Sequence, residues 1–164
     1  MIQVKYESNM NFIIDEFTYI MEDDSFYKNI SSKYATKDVD FIMKRASKLL
    51  FIEAKSSSPK KLDEYVDDIY IKFLDSLIIF NAILLDRKKT KSTIITKELK
   101  EIKHLKGSIQ LVLIIKNAKK SHLLPIRDKL NQKLKKLKVM FSLENDILVL
   151  NKIQAINKGF ILDS

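Results

Sequence analysis

An acidic and a basic side chain stand two residues apart at the end of an apolar run. The run is LLFI (49–52), and Glu53, Ala54 and Lys55 follow it directly. Residues two apart on a β-strand point to the same face, so the Glu53 carboxylate and the Lys55 ammonium would lie side by side. Charges at the end of a buried strand are costly unless they are paired. Further carboxylates that join this pair would form a site for a cation.

Two other carboxylates can reach this pair if the segments around them fold as predicted. Asp40 lies in the predicted strand before the apolar run, and the polar segment KRAS (44–47) would turn the chain back, so that Asp40 lies close to Glu53. Glu16 borders the apolar face of a helix predicted over 11–21. Position matters more than type here, since the chain has four acidic-x-basic triplets and only this one ends a predicted strand.

Two or three carboxylates beside one lysine form a site for a hard cation. Mg²⁺ takes oxygen ligands and is usually bound by one or two carboxylates together with waters and substrate phosphates, and Mn²⁺ accepts similar ligands. Such an ion polarises a phosphoryl oxygen and lowers the pKa of a bound water. A neighbouring lysine can orient or deprotonate that water, or stabilise the charged transition state. These residue types therefore suit metal-assisted chemistry at a phosphoryl group.

Asp40, followed by a Glu-x-Lys triplet at the end of a strand, resembles the motif of the PD-(D/E)xK nuclease superfamily. This superfamily includes restriction endonucleases, archaeal Holliday junction resolvases and phage endonucleases. The resemblance extends over residues 10–117 in the order of elements, and the family often has a glutamate on a helix before the hairpin. It implies a restriction-endonuclease-like core and a Mg²⁺-dependent endodeoxyribonuclease. Asp40 and Glu53 would be the metal ligands, Lys55 the catalytic lysine and Glu16 an auxiliary acid.

The composition excludes several other classes of protein. With two Gly and two Pro, the 164-residue chain has no Gly-rich loop for nucleotide phosphates. The absence of Cys excludes disulfides, thiolate nucleophiles and Cys-ligated metals, and His104 and His122 have no neighbours that complete a metal set. No apolar run reaches ~18 residues, and the N-terminus has no signal-peptide layout. We therefore expect a cytoplasmic protein with no membrane segment.

The positive charge is concentrated in one part of the chain. The net charge is +9, but residues 1–86 carry −4 and residues 87–138 carry +14. Such asymmetry indicates a polyanionic partner, here DNA. A face of solvated lysines on a helix would show the same pattern. The candidates for phosphate contacts share one face of the helix predicted at 122–138, and they are Lys129, Lys133 and Lys136.

The segments around these residues predict a single α/β domain over 1–164, with a mixed β-sheet flanked by helices. Residues 21–32 are expected to lead into extended chain. In chain order we expect a strand at 2–6, a helix at 11–21, strands at 38–43 and 48–55, a helix at 60–86, a basic helix at 87–107, a strand at 108–117, a helix at 122–138 and a strand at 146–152.

The same residues allow two other interpretations. The chain could be a nucleic-acid-binding protein that keeps the nuclease-like fold without cutting. It could also be an interaction module in which Glu53 and Lys55 form an ordinary ion pair at a strand end. An intact metal site would distinguish the nuclease, and salt-dependent DNA binding would distinguish both nucleic-acid-binding interpretations from the third. A nuclease that makes two cuts would act as a homodimer.

Overall fold

A computed structural model describes residues 2–87, 92, 94–101, 108–143 and 145–163 of the chain. Its strands and helices alternate in the second half, as the periodicity of the sequence predicts. The elements are β1 (Gln3–Glu7), β2 (Met10–Ile14), β3 (Thr18–Tyr19), a 3₁₀ turn (Met21–Asp23), α1 (Ser25–Tyr34), β4 (Phe41–Arg45), β5 (Lys48–Lys55), α2 (Leu62–Leu84), β6 (Ser108–Ile115), α3 (Lys120–Met140), β7 (Leu148–Asn151) and α4 (Lys152–Asn157).

The central sheet has the strand order β3-β4-β5-β6-β7. Strands β3, β4 and β5 are antiparallel neighbours, whereas β5, β6 and β7 run parallel. Parallel neighbours need a long crossover, and α2 and α3 lie in the two crossovers. All residues of β6 after Ser108 are buried, as is typical of a central parallel strand. The prediction of a mixed sheet flanked by helices is confirmed.

Both faces of the sheet are covered. On one face, α2 and α3 bury a large apolar cluster that includes Phe51 of β5 and Phe73 and Phe80 of α2. On the other face, the β1–β2 hairpin and α4 bury a smaller cluster around Phe12 and Ile52. Alternate residues of β5 therefore enter different cores, which fixes the register of this strand.

The helix predicted at 11–21 is wrong, because this segment forms β2, a turn and β3. Met10 and Phe12 alternate as buried residues and pack under the sheet, so a period of two overrides the helical spacing. Asp15 makes the turn, since its Oδ1 accepts hydrogen bonds from the Phe17 backbone N–H at 2.9 Å and from the Thr18 hydroxyl.

A helix does precede the β4–β5 hairpin, but it is α1, in the segment at 21–32 that was expected to lead into extended chain. Its start has a recognisable signal: the Asp24 side chain caps α1 by accepting from the Phe26 backbone N–H. Asp24 is fully buried, and the hydroxyls of Tyr19 and Ser92 also donate to it.

The remaining segment predictions agree with the structure to within a few residues at their ends, apart from the basic helix at 87–107. Much of that segment, including His104, lies outside the described residues, and residues 97–100 form a turn. Among the helices in the described part of the chain, none combines the length and apolarity that a membrane span requires.

Candidate metal and phosphate site

The β4–β5 hairpin places two of the predicted site residues opposite each other. Phe41 pairs with Ile52 in the antiparallel register, so Asp40 and Glu53 face each other one residue further along. Phe51, two residues before Glu53, belongs to the cluster under α2. Asp40 and Glu53 therefore share the face of the sheet that α2 covers.

Glu53 is held by two lysines from different elements. Its side chain is 1% exposed, and its Oε1 lies 3.0 Å from Lys55 Nζ of β5 and 2.9 Å from Lys72 Nζ of α2. Its second oxygen, Oε2, is buried and has no hydrogen-bond partner. An unpartnered buried carboxylate oxygen is costly. The geometry therefore leaves one oxygen of Glu53 available to a ligand.

Asp40 directly precedes β4, and its carboxylate continues the hydrogen bonding between β4 and β5. Its Oδ2 accepts a hydrogen bond from the Ala54 backbone N–H at 2.6 Å. Burial and then the negative charge of Glu53 raise the pKa of Asp40 to about 8, although the Ala54 hydrogen bond and Lys72 oppose this shift. A carboxyl group whose pKa is raised by a neighbouring carboxylate marks a site where a cation would be stabilised.

The pKa values of Glu53 and Lys72 are both raised. For Glu53 burial is the main cause, and the charges of Lys72 and Lys55 oppose it. For Lys72 burial acts to lower the pKa, but the Glu53 carboxylate and the neighbouring Asp40 and Asp38 together outweigh burial. Lys72 therefore stays charged inside the cluster.

Lys55 connects the buried pair to an open cleft. Its ammonium also lies 3.6 Å from Asp68 Oδ2, and the other oxygen of Asp68 binds Lys37 at 2.5 Å. The cleft, of about 370 Å³, is lined by Lys55, Asp68, Tyr65 and the segment 56–60. With its side chain 28% exposed, Lys55 can reach a molecule in this cleft as well as Glu53.

Glu16 is not part of this site. It lies exposed in the turn between β2 and β3, and the neighbouring Phe17 carbonyl accepts a hydrogen bond from the Lys44 backbone N–H. That places Glu16 at the opposite end of β4 from Asp40, a separation of about 13 Å for four residues at ~3.3 Å each. The prediction that Glu16 is held against the sheet near the pair is wrong, because the helix that would have placed it there does not form.

A residue of the β1–β2 hairpin also acts on the charge of Asp40. The charge of Glu7 contributes to the raised pKa of Asp40. The next residue, Ser8, donates a hydrogen bond from its hydroxyl to the Ala54 carbonyl at 3.0 Å. No sequence signal pointed to Glu7, because its proximity to Asp40 depends on how the hairpin packs on the sheet.

Lys72 is the most important site residue that the sequence analysis missed. A signal for it exists: Lys72 stands between Ile69 and Phe73, which are fully buried, and one turn after Asp68. A lysine beside the buried stripe of a helix indicates a carboxylate partner. The identity of that partner, Glu53, follows only from the packing of α2 on β5.

Two of the three predicted phosphate-binding lysines form ion pairs with α2. Lys129 pairs with Asp63, and the Lys133 ammonium lies 2.8 Å from Asp67 Oδ1. Lys136 is exposed and has no ion pair within the described residues. The three lysines therefore differ in their availability for phosphate, which their common helical face did not reveal.

Asp40 and Glu53 are the residues that could hold a divalent cation. The orphaned Oε2 of Glu53 and the like charge of Asp40 fit such an ion, and carboxylate oxygens are the ligands that Mg²⁺ and Mn²⁺ prefer. Across the described ranges, no three or more His, Asp or Glu side chains are grouped so as to hold a metal ion. His122 is exposed in the first turn of α3.

Comparison with known proteins gives no relative for this chain. No protein-family model matches it, and neither a curated protein nor a solved structure shows significant similarity.

Proposed function

We propose that this protein is a Mg²⁺-dependent endodeoxyribonuclease that hydrolyses DNA phosphodiester bonds by attack of a metal-activated water. The observation that carries the proposal is the state of Glu53. It is a buried carboxylate with one oxygen held by Lys55 and Lys72 and the other without a partner, on the same face as Asp40. An unpaired carboxylate oxygen in a buried site beside a second carboxylate supports a cation site there.

Asp40 and Glu53 would hold the ion, which supplies a Lewis acid for the phosphoryl oxygen and lowers the pKa of a bound water. Lys55 would act on the water or on the negative charge of the transition state, since its ammonium lies between the buried carboxylate and the cleft. Glu53 and Lys55 stand on a paired strand and the Asp40 carboxylate is hydrogen-bonded to it, so the three side chains are held on a rigid element.

DNA would reach the site along the cleft beside Lys55. The segment 56–60 contributes three serines and Lys60 to the wall of the cleft, and these are suited to phosphate contacts. The basic block at 87–138 would supply the long-range attraction. Within it, Lys136 is a better candidate for a phosphate contact than Lys129 or Lys133, which would first have to leave their carboxylate partners.

The restriction-endonuclease-like core is part of the same proposal. A helix, an antiparallel hairpin with the acidic residues, a long helix and a parallel strand follow one another in the chain, in the order on which the resemblance rests. The helix before the hairpin is α1 rather than the one predicted at 11–21. The sequence of α1 contains no glutamate that could act as the auxiliary acid.

A cleavage assay tests the proposed activity. Labelled duplex, junction and single-stranded DNA would be incubated with Mg²⁺, Mn²⁺ or EDTA. Wild type should cut at least one substrate in a metal-dependent manner, and Asp40→Asn should abolish cutting while DNA binding is kept. Lys55→Ala should lower the rate while Mn²⁺ still binds, because the lysine is not a ligand. Asp128→Asn, an exposed carboxylate of α3, is the matched control and should cut like wild type.

A wild-type protein that cuts nothing in this panel, or an Asp40→Asn variant that cuts as well as wild type, would contradict the proposal. If such a protein still bound DNA in a salt-dependent manner, the non-cutting nucleic-acid-binding protein would become the better interpretation.

A further inference from the structure

Lys72 occupies the position of a built-in counter-ion in the proposed metal site. Its ammonium lies 2.9 Å from Glu53 Oε1, on the carboxylate whose other oxygen has no partner. The charges of Asp40 and Asp38 also act on it. Lys72 therefore interacts with the carboxylates that the ion would use.

We infer that Lys72 weakens cation binding in the absence of DNA and so makes retention of the metal ion depend on a DNA phosphate. This inference rests on the proposed function, because it concerns the same site. The Lys72 ammonium on Oε1 and a divalent ion on Oε2 would bind the same carboxylate of Glu53. The ammonium nitrogen and the ion would then be about 5 Å apart. Even with the dielectric constant of bulk water, repulsion at that distance weakens ion binding about tenfold.

The phosphate of DNA reverses this balance. A phosphodiester group carries one negative charge and attracts both the ion and the ammonium, so it offsets the repulsion between them. Metal and DNA then strengthen each other's binding by the same factor. Lys55 also lies 3.0 Å from Glu53 Oε1, but Asp68 offsets part of its charge and its ammonium borders the open cleft, so the repulsion of the ion by Lys55 is weaker than that by Lys72.

The structure gives Lys72 no other charged partner at ion-pair distance in the described part of the chain. Its helix places it one turn after Asp68, whose own partners are Lys55 and Lys37. Asp68 is thus paired with other lysines, and the positive charge of Lys72 acts on Glu53.

Mn²⁺ binding to the DNA-free protein, measured by the electron paramagnetic resonance signal of free Mn²⁺, tests the inference. Lys72→Met removes the charge and keeps most of the chain length, and it should bind Mn²⁺ about tenfold more tightly than wild type. Lys72→Gln, which can still donate to Glu53, should do the same and serves if the Met variant folds poorly. Lys72→Arg keeps the charge and should bind like wild type.

Lys61→Met is the matched control, since Lys61 pairs with Glu64 on the surface at the start of α2. It should leave Mn²⁺ affinity unchanged. A second titration in the presence of a phosphorothioate duplex, which resists cleavage, measures the coupling. The duplex should increase the Mn²⁺ affinity of wild type more than that of Lys72→Met or Lys72→Gln.

Unchanged or weaker Mn²⁺ binding by the uncharged Lys72 variants would overturn the inference, even if wild type cleaves DNA. Tighter Mn²⁺ binding by these variants in a protein that cleaves nothing would support the counter-ion role and contradict the proposed function. Absence of Mn²⁺ binding by every variant would overturn both.

Discussion

Replacement of Asp40 by Asn should make the stability of the metal-free protein less dependent on pH. Because burial and Glu53 raise the pKa of Asp40 to about 8, from 3.8 in the unfolded chain, the folded protein binds one more proton than the unfolded chain between these values. The contribution of Asp40 to stability is therefore most favourable at acid pH, falls as the pH rises above about 4 and is fully lost above about 8. The amide of the Asp40→Asn variant carries no charge, and its oxygen can still accept a hydrogen bond from the Ala54 N–H.

The size of the effect follows from the same pKa. Stability falls by at most ~1.4 kcal/mol per pH unit between the two pKa values. From pH 5 to the folded pKa of about 8, the loss of unfolding free energy amounts to ~4 kcal/mol. Asp40 and Glu53 repel each other and share the uptake of protons, so we expect about half of this loss, ~2 kcal/mol, from Asp40 alone.

Urea unfolding in EDTA at pH 5 and pH 9 measures this difference. Wild type should lose ~2 kcal/mol more than Asp40→Asn between the two pH values, and Asp128→Asn should follow wild type. Mg²⁺ at pH 9 should stabilise wild type and not Asp40→Asn, since a bound ion requires the ionised carboxylate. Parallel pH profiles for wild type and Asp40→Asn would refute the reasoning, because the surroundings of Asp40 would then not raise its pKa.

Two further predictions concern DNA binding and the core. Changing Lys129, Lys133 and Lys136 together to Ala should flatten the slope of log affinity against log salt by about 0.9, the value for one phosphate contact, because two of the three lysines pair with α2; a flattening of about 2.7, measured by fluorescence anisotropy, would show that all three contact phosphate. Phe80→Ala should lower the free energy of unfolding, measured by urea denaturation, by about 3–5 kcal/mol. Phe80 is fully buried, and its ring packs edge-on against that of Phe51 with the ring centroids 5.7 Å apart. A loss below about 1 kcal/mol would contradict its place in the core.

The chain's local patterns determined most of the sheet and its main helices. The apolar run of β6, the polar turn between β4 and β5, and the helical spacing over α2 and α3 are local features of the sequence, so its pattern identifies these elements. The same period of two predicts that Glu53 and Lys55 share a face. Where two periods compete, as at 11–21, the sequence did not decide, because burial of Phe12 depends on the sheet above it.

Only the tertiary structure decided which charges meet. Glu53 receives Lys72 because α2 crosses over β5, and these residues are distant in the sequence. The helices α2 and α3 pack side by side, so Lys129 and Lys133 of α3 form ion pairs with aspartates of α2. Two of the three lysines predicted to bind phosphate are therefore already paired. The physical reason is that hydrophobic periodicity reports which face of an element is buried, whereas a charge pair depends on the neighbour against which that face packs. The sequence therefore determined the central strands β4 to β7, the long helices α2 and α3 and the common face of Glu53 and Lys55, and the packing of α2 determined the environment of that pair.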